Sequence, residues 1–294
     1  MADQLAETAW AIRYWRPDAR LAPYVSGYHD FSIIVPHGKR QLDTFFPGWA
    51  NIRMTFDAQP WSIKIGRKIF DPVPENALFG PTSHAGYSNA GTGRLVGFGL
   101  TPAGWVQFFP NKDLSRFADQ IVGLETILPD CANLRHALEA APDVPAVLDA
   151  YLLGRLQPQA PENSQIAHLA AVLGDASILT VQQLSIRVGL TPGQLLRLAK
   201  VAFGFTPKLL LRRARFLRAL DALETVERGH WKDAAAQAGY WDGSHFLRDC
   251  HLFMGQPLGD YLKMPRPINR ASRQLRAQVL GAPMQSLHQP DPPA

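Results

Sequence analysis

From Tyr24 to about Phe109 the apolar residues come in short runs, among them Phe31–Val35, Ile52–Phe56 and Leu95–Leu100, separated by Gly, Pro, Asn and Asp. Short apolar runs between turn formers predict β-strands rather than helices. Of the 29 aromatic residues, 20 precede position 152. Such crowding suits a barrel or sandwich packed with large side chains, and it would equally line a ligand pocket. From Asp113 to Leu128, and again from Pro145 to Leu156, the spacing returns to three and four, which predicts helices that close a first domain. The polar, proline-bearing stretch Gln157-Pro-Gln-Ala-Pro-Glu-Asn163 disfavours helix and marks a boundary. The division that follows is a β-rich domain over 1–157, a linker over 158–163, a helical domain over 164–263 and a Pro/Arg-containing tail over 264–294. The expected class is α+β. Pro265, Pro267, Pro283, Pro290, Pro292 and Pro293, with scattered Arg, predict a tail whose last part is disordered.

Helix starts are legible in the second half. Thr180-Val-Gln-Gln183 and Thr191-Pro-Gly-Gln194 both match the capping box, in which a hydroxyl at the N-cap and a Gln three residues on satisfy orphan backbone donors. Pro192 and Pro207 fall at the first helical position, where a missing N–H costs nothing, with Thr191 and Thr206 as caps. Asp242 caps a further start. The half also repeats at an offset of about 50 residues, since Gly189-Leu-Thr191 corresponds to Gly239-Tyr-Trp-Asp242, and Gly204-Phe-Thr-Pro207 to Gly255-Gln-Pro257. In each copy a short apolar helix (181–188; 231–238) meets a glycine turn and then a capped second helix (191–202; 242–253). A tight turn after a helix needs positive φ at one residue, which glycine supplies, and the second helix is presented N-terminus outward. Two helix-turn-helix units in register predict a DNA reader.

Charge sharpens that picture. Residues 1–163 carry 14 Lys/Arg against 16 Asp/Glu, a net of −2, whereas 164–294 carry 16 against 9, a net of +7. A basic half joined to a near-neutral half fits a polyanion-binding module with another partner elsewhere. The 294 residues, 46% hydrophobic and 19% charged, suit two folded domains and exclude a disordered or fibrous chain. Cys131 and Cys250 stand far apart with no zinc-ligand spacing, so no disulfide scaffold or structural metal is expected, and a reducing cytoplasm fits. Asp3 and Glu7 near the start, and no run of about 18 apolar residues, make secretion and membrane spanning unexpected.

Residues 166–262 resemble the AraC/XylS family of bacterial regulators. The first unit carries the resemblance in Leu184-Ser185 before Gly189, Thr191 with Leu195 and Arg197, Gly204-Phe-Thr-Pro207, and Arg213, Arg215 and Ala219 beyond it. The second matches better, through Ala234-Ala235, Gly239-Tyr240, Asp242, Ser244-His245-Phe246, Arg248, Phe253, Gly255 and Pro257. The family commonly has aromatics where this chain has Ala199 and Cys250. The resemblance implies double-stranded DNA as partner, two units bridged by one long helix, and RNA polymerase as a further partner. Second helices entering successive major grooves would lie roughly 34 Å apart. Arg197 and Arg248 are expected at bases, where a guanidinium donates two bonds to guanine. Gln194 and His245 are candidates for bases or phosphates, and Ser244 for a phosphate at its helix N-terminus. Lys200, Lys208 and Arg212 are expected to add electrostatic attraction, with Arg213 and Arg215 as ion-pair partners on the bridge. Leu184, Val188, Leu195, Leu198, Phe246 and Phe253 read as core.

Leu21-Ala-Pro-Tyr-Val25 and Leu95-Val-Gly-Phe-Gly-Leu-Thr-Pro-Ala-Gly-Trp105 also resemble pieces of the β-rich N-terminal domains of such regulators, implying a cupin-like barrel that senses a ligand or dimerises. An enzymatic cupin needs a His-x-His pair with a carboxylate. His29, His37 and His84 are isolated, and no nucleophile elbow, phosphate loop or dinucleotide fingerprint occurs. No catalytic residues and no cofactor are therefore expected. Three readings follow in order: a regulator responding to a small-molecule effector, a regulator whose first domain only forms a homodimer or binds protein, and an enzyme fused to a DNA anchor. A concave apolar pocket with a few converging polar groups favours the first, a filled barrel the second and converging titratable groups the third.

Overall fold

A computed structural model of the chain describes residues 7–158, 162–224 and 230–288. The first half is sheet. Strands β1 (Ala9–Trp15), β2 (Val25–Ile34), β4 (Asn51–Phe56), β7 (Asn76–Phe79), β9 (Gly93–Leu100) and β10 (Ile121–Gly123) make a six-stranded sheet in the order β1-β2-β9-β4-β7-β10. Strands β3 (Gln41–Phe45), β5 (Ser62–Ile65), β6 (Lys68–Phe70) and β8 (Gly86–Ala90) make a second sheet in the order β3-β8-β5-β6. All pairings are antiparallel. Both sheets turn faces toward one cavity. Helices α1 (Pro102–Phe108), α2 (Cys131–Glu139) and α3 (Val144–Leu153) close this half. Between Asp113 and Leu128 the expected helix is absent. Two 3₁₀ turns, 114–117 and 124–126, flank β10 instead, because Asp113 turns the chain by accepting from Ser115 N and β10 finds an edge beside β7.

The second half is helical: α4 (Glu162–Gly174), α5 (Val181–Val188), α6 (Pro192–Phe203), α7 (Pro207–Ala222), α8 (Trp231–Gln237), α9 (Gly243–Met254), α10 (Leu258–Lys263) and α11 (Pro267–Leu280). Gln159, Ala160 and Pro161 of the expected linker, and Pro290, Pro292 and Pro293 of the expected tail end, lie outside the described residues. The stretch just after Met264 is helical. Pro267 sits at the start of α11, where proline suits a helix, and α11 buries Asn269, Arg273, Arg276 and Leu280 against β1 and β3.

The halves share their cores. One apolar cluster runs from Leu21, Val96 and Trp105 of the sheet half to Leu195, Phe203 and Leu210 of the helical half. A second gathers Phe46 and Ala85 with Phe216, Phe246, Phe253 and Tyr261.

Candidate nucleic-acid interface

The first unit is built as its caps demand. Thr180 Oγ1 accepts from Gln183 N, and Gln183 Oε1 accepts from Thr180 N at 3.0 Å. Gly189 ends α5 at φ 73°, and Ser185 Oγ closes the turn on the Leu190 carbonyl at 2.5 Å. Thr191 then caps α6. Gln194 Oε1 accepts from both Thr191 N at 3.0 Å and Thr191 Oγ1 at 2.8 Å. The second unit follows the same plan: Gly239 takes φ 87°, and Asp242 caps α9 by accepting from His245 N at 2.9 Å. That bond leads the effects drawing the Asp242 carboxyl below its usual range; slight desolvation opposes it, and the charge of His245 adds to it.

Each second helix has an inner and an outer face. Leu195, Ala199, Ala202 and Phe203 are buried on α6, and Phe246, Asp249, Cys250 and Phe253 on α9. Gln194, Arg197 and Lys200 are exposed on α6, as are Ser244, His245 and Arg248 on α9. Helical geometry puts these six opposite the inner faces. Ala199 and Cys250 fill the positions where aromatics were noted as more usual, both within the core. Of the expected core residues, Leu184, Leu195, Phe246 and Phe253 are buried, while Val188 and Leu198 are half-buried.

Two candidates have part of their chemistry already engaged. Gln194 spends its carbonyl on the cap, leaving its amide NH₂ for DNA, and a two-bond contact to adenine would require opening the capping box. His245 Nδ1 lies 3.8 Å from Asp242 Oδ2, which orients the ring along the helix start.

Sequence reasoning missed what holds the two units together. Asp249, 2% exposed, accepts from Tyr240 Oη at 2.6 Å and Arg212 Nε at 2.6 Å, with Arg215 Nη2 at 3.8 Å. Arg212, expected as a DNA-attracting charge, is thus committed to α9. Arg215 is the ion-pair partner expected and also lies over the Tyr240 ring at 4.4 Å. Arg213 makes no ion pair among the described residues. It is 1% exposed, lies over Trp49 at 4.2 Å, and donates to the Thr82 carbonyl at 2.8 Å and the Gly48 carbonyl at 3.4 Å. Lys208 stays exposed. The sole available signal was an acidic residue at an inner helical position of α9.

The rear ends of both readers rest on the sheet half. Gly204, just past α6 at φ 82°, has no room for a side chain, since a Cβ would stand 2.5 Å from Pro81. Ala85 N donates to the Phe253 carbonyl at 2.7 Å and Tyr87 Oη to the Met254 carbonyl at 2.5 Å. The leading ends, with the six residues above, remain open.

The space between the sheets is a cavity of about 280 Å³, closed on one side by α11. Aromatic and aliphatic side chains supply most of its surface, and polar groups reach it from Tyr14, His29, Arg53, Ser272 and Arg276 as well as from Asp43, Arg94 and Arg273, among others. Among the described residues no group of three or more His, Cys, Asp and Glu could hold a metal, and no helix is long and apolar enough to cross a membrane.

Residues 184–264 match a family model described as a helix-turn-helix domain. No curated protein matches the chain. Among solved structures, ToxT from Vibrio cholerae is similar at 9% identity and TM-score 0.46, covering 86% of this chain and 98% of that one. Unsaturated fatty acid-bound ToxT from V. cholerae strain SCE256 gives 11% identity and TM-score 0.44, covering 90% and 98%. The AraC-like transcriptional activator CuxR gives 13% and 0.28, covering 77% and 100%.

Proposed function

We propose that the chain is a DNA-binding transcriptional regulator of the AraC/XylS type, which reads sequence with α6 and α9 under the control of a small molecule held between the sheets; the match of residues 184–264 to a helix-turn-helix model supports the DNA-binding part. The observation carrying the DNA half is that six polar or basic side chains on two capped helices are exposed where those helices lead outward, while their other faces are packed. Arg197 and Arg248 contact bases. Gln194 contributes its amide NH₂, Ser244 and His245 meet phosphate at the α9 N-terminus, and Lys200 adds attraction. The cavity between the sheets, mostly apolar in surface with polar and charged groups converging on it, supports the effector half.

Selection of bound sequences from a random duplex pool tests the base assignments, using wild type, Arg248→Ala and Arg197→Ala. Each substitution should cost about 1–3 kcal/mol and relax preference at one base position. A phosphate contact would instead weaken all sequences alike and reduce the salt slope by about one. Unchanged affinity and preference for both variants would remove these residues from the interface.

A further inference from the structure

The two second helices are built to one frame. Each has twelve residues, Pro192–Phe203 in α6 and Gly243–Met254 in α9, and each ends at a glycine with positive φ, 82° at Gly204 and 69° at Gly255. Their caps act on the same backbone position, since Thr191 Oγ1 accepts from Gln194 N and Asp242 Oδ1 from His245 N. Equal caps and equal lengths put α6 and α9 in register. Corresponding side chains therefore leave the two helices at the same height and in the same direction.

On that frame the buried positions agree in place but not in residue. Leu195 corresponds to Phe246, Ala199 to Cys250, Ala202 to Phe253 and Phe203 to Met254, all buried. Most outer positions differ as well: Gly193 corresponds to Ser244, Gln194 to His245 and Lys200 to His251. Of the twelve positions only two carry the same residue in both helices, the adjacent pair Leu196-Arg197 in α6 and Leu247-Arg248 in α9.

Packing does not account for the shared leucines. Leu196 and Leu247 are each 41% exposed, and neither joins the apolar clusters. A single exposed leucine needs no explanation. Two at the same height, each beside its helix's exposed arginine, while the packed positions have all diverged, are a common feature of the outer surface. Successive helical residues point about 100° apart, so each leucine and arginine cover adjoining parts of one face. In a major groove such an apolar group meets the C5-methyl of thymine, and the guanidinium beside it takes the O6 and N7 of guanine.

We infer that both units read the same core: a guanine taken by Arg197 or Arg248 and, at a neighbouring base pair on either strand, a thymine whose methyl packs on Leu196 or Leu247. The inference rests on the DNA-reading half of the function proposed above and narrows it. The preferred duplex holds two like cores one helical turn apart, about 10–10.5 base pairs. The residues that diverge at the leading ends do not alter the core. Ser244 and His245 meet phosphate, which carries no sequence information, whereas Gly193 has no side chain and Gln194 has only its amide NH₂ to offer. The first unit is thus seated by fewer backbone contacts on the core that both recognise.

Random-pool selection with the full chain gives the preferred duplex. Fluorescence anisotropy on copies of it with one thymine at a time replaced by deoxyuridine then reads the methyl alone, because base pairing is unchanged. One such replacement in each core should weaken binding about three- to fivefold, the worth of one buried methyl group. Leu196→Ala should abolish that sensitivity in one core and Leu247→Ala in the other, with the guanine preference kept in both variants. Both leucines lie outside the core, and the deoxyuridine measurement on wild type needs no variant to fold. Two unlike cores in the selected duplex, or affinity unchanged by every thymine replacement in either core, overturns the inference and leaves base selection by Arg197 and Arg248 standing. Sensitivity that persists in both Ala variants places the methyl against another side chain and overturns it too. No sequence preference in the selection would instead remove the DNA-reading function itself, and the shared core with it.

Discussion

Replacing Asp249 by Ala tests whether α9 is held to α7 by the latch described above. The carboxylate is buried and receives Tyr240 Oη at 2.6 Å, Arg212 Nε at 2.6 Å and Arg212 Nη2 at 2.5 Å. Its loss leaves the Tyr240 hydroxyl a buried donor with no acceptor, a cost of about 1–3 kcal/mol. Burial already leads the effects that raise the Tyr240 pKa, followed by its bond to Asp249, so the hydroxyl has no ionised form to retreat to. The Arg212 side chain is 41% exposed, so water takes over much of its solvation, and its half of the pair is worth only about 0.5–1 kcal/mol. The sum is a loss of about 1.5–4 kcal/mol. Urea unfolding with linear extrapolation measures it. Asp249→Asn, which keeps an acceptor for Tyr240 but not the charge, should lose about 1 kcal/mol. Fluorescence anisotropy on a duplex carrying both half-sites should show Asp249→Ala weakening binding more than on a duplex carrying only the first. A stability loss below about 1 kcal/mol for Asp249→Ala would mean that the latch is not holding the helices together.

Two further outcomes follow from the backbone and from burial. Gly239→Ala should cost about 1 kcal/mol from positive φ alone, because the nearest atom to a new Cβ is Leu179 Cδ2 at an ordinary 3.6 Å. Gly204→Ala should cost about 2–4 kcal/mol, since the same strain is joined by a clash with Pro81 at 2.5 Å; equal losses in urea unfolding would contradict the packing of α6 on the sheet half. His29 is held well below the ordinary imidazole value of 6.5, by burial first and then by Arg53 and Arg276. Below that pH the unfolded chain binds a proton that the folded chain refuses, so stability falls as pH drops through about 6.5, by up to about 1.4 kcal/mol per pH unit. His29→Gln should remove that one-proton component from the pH dependence of unfolding, and an unchanged slope would contradict the burial of His29.

What could be read from the sequence was local. Thr180, Thr191, Asp242, Gly189 and Gly239 act within a few residues of themselves, so their caps and turns were visible as short patterns. The polar side of the cavity was not visible, because Tyr14, His29 and Arg53 meet only through the register of β1, β2, β9 and β4, and strand order leaves no local mark. Asp249 meets Arg212 across 37 residues for the same reason. Around α11 the prolines were read only as marks of a tail, whereas Pro267 at the first helical position is a start signal. The helix expected over 113–128 failed because a spacing of three and four was satisfied by two 3₁₀ turns, while an available sheet edge took the residues between them.

The way the halves meet bears on how such a regulator could be controlled. Relative placement of α6 and α9 depends on α7, and α7 is itself pinned to the sheet half by Arg213. Burial draws that guanidinium down to about 9, yet its two carbonyl bonds and the Trp49 face hold it in place with no carboxylate paired to it among the described residues. The rear of α6 sits on Pro81, and the end of α9 is hydrogen-bonded to Ala85 and Tyr87. Phe45, Phe46, Pro47 and Gly48, next to or within these contacts, also line the cavity. Packed interiors pass displacement on rather than absorb it. On the proposed reading, a change of shape between the sheets would reach both second helices by two routes, through the 45–48 segment under Arg213 and through α11, whose Arg273 pairs with Asp221 at the end of α7, and neither route would require the proposed DNA-contacting side chains to touch a ligand.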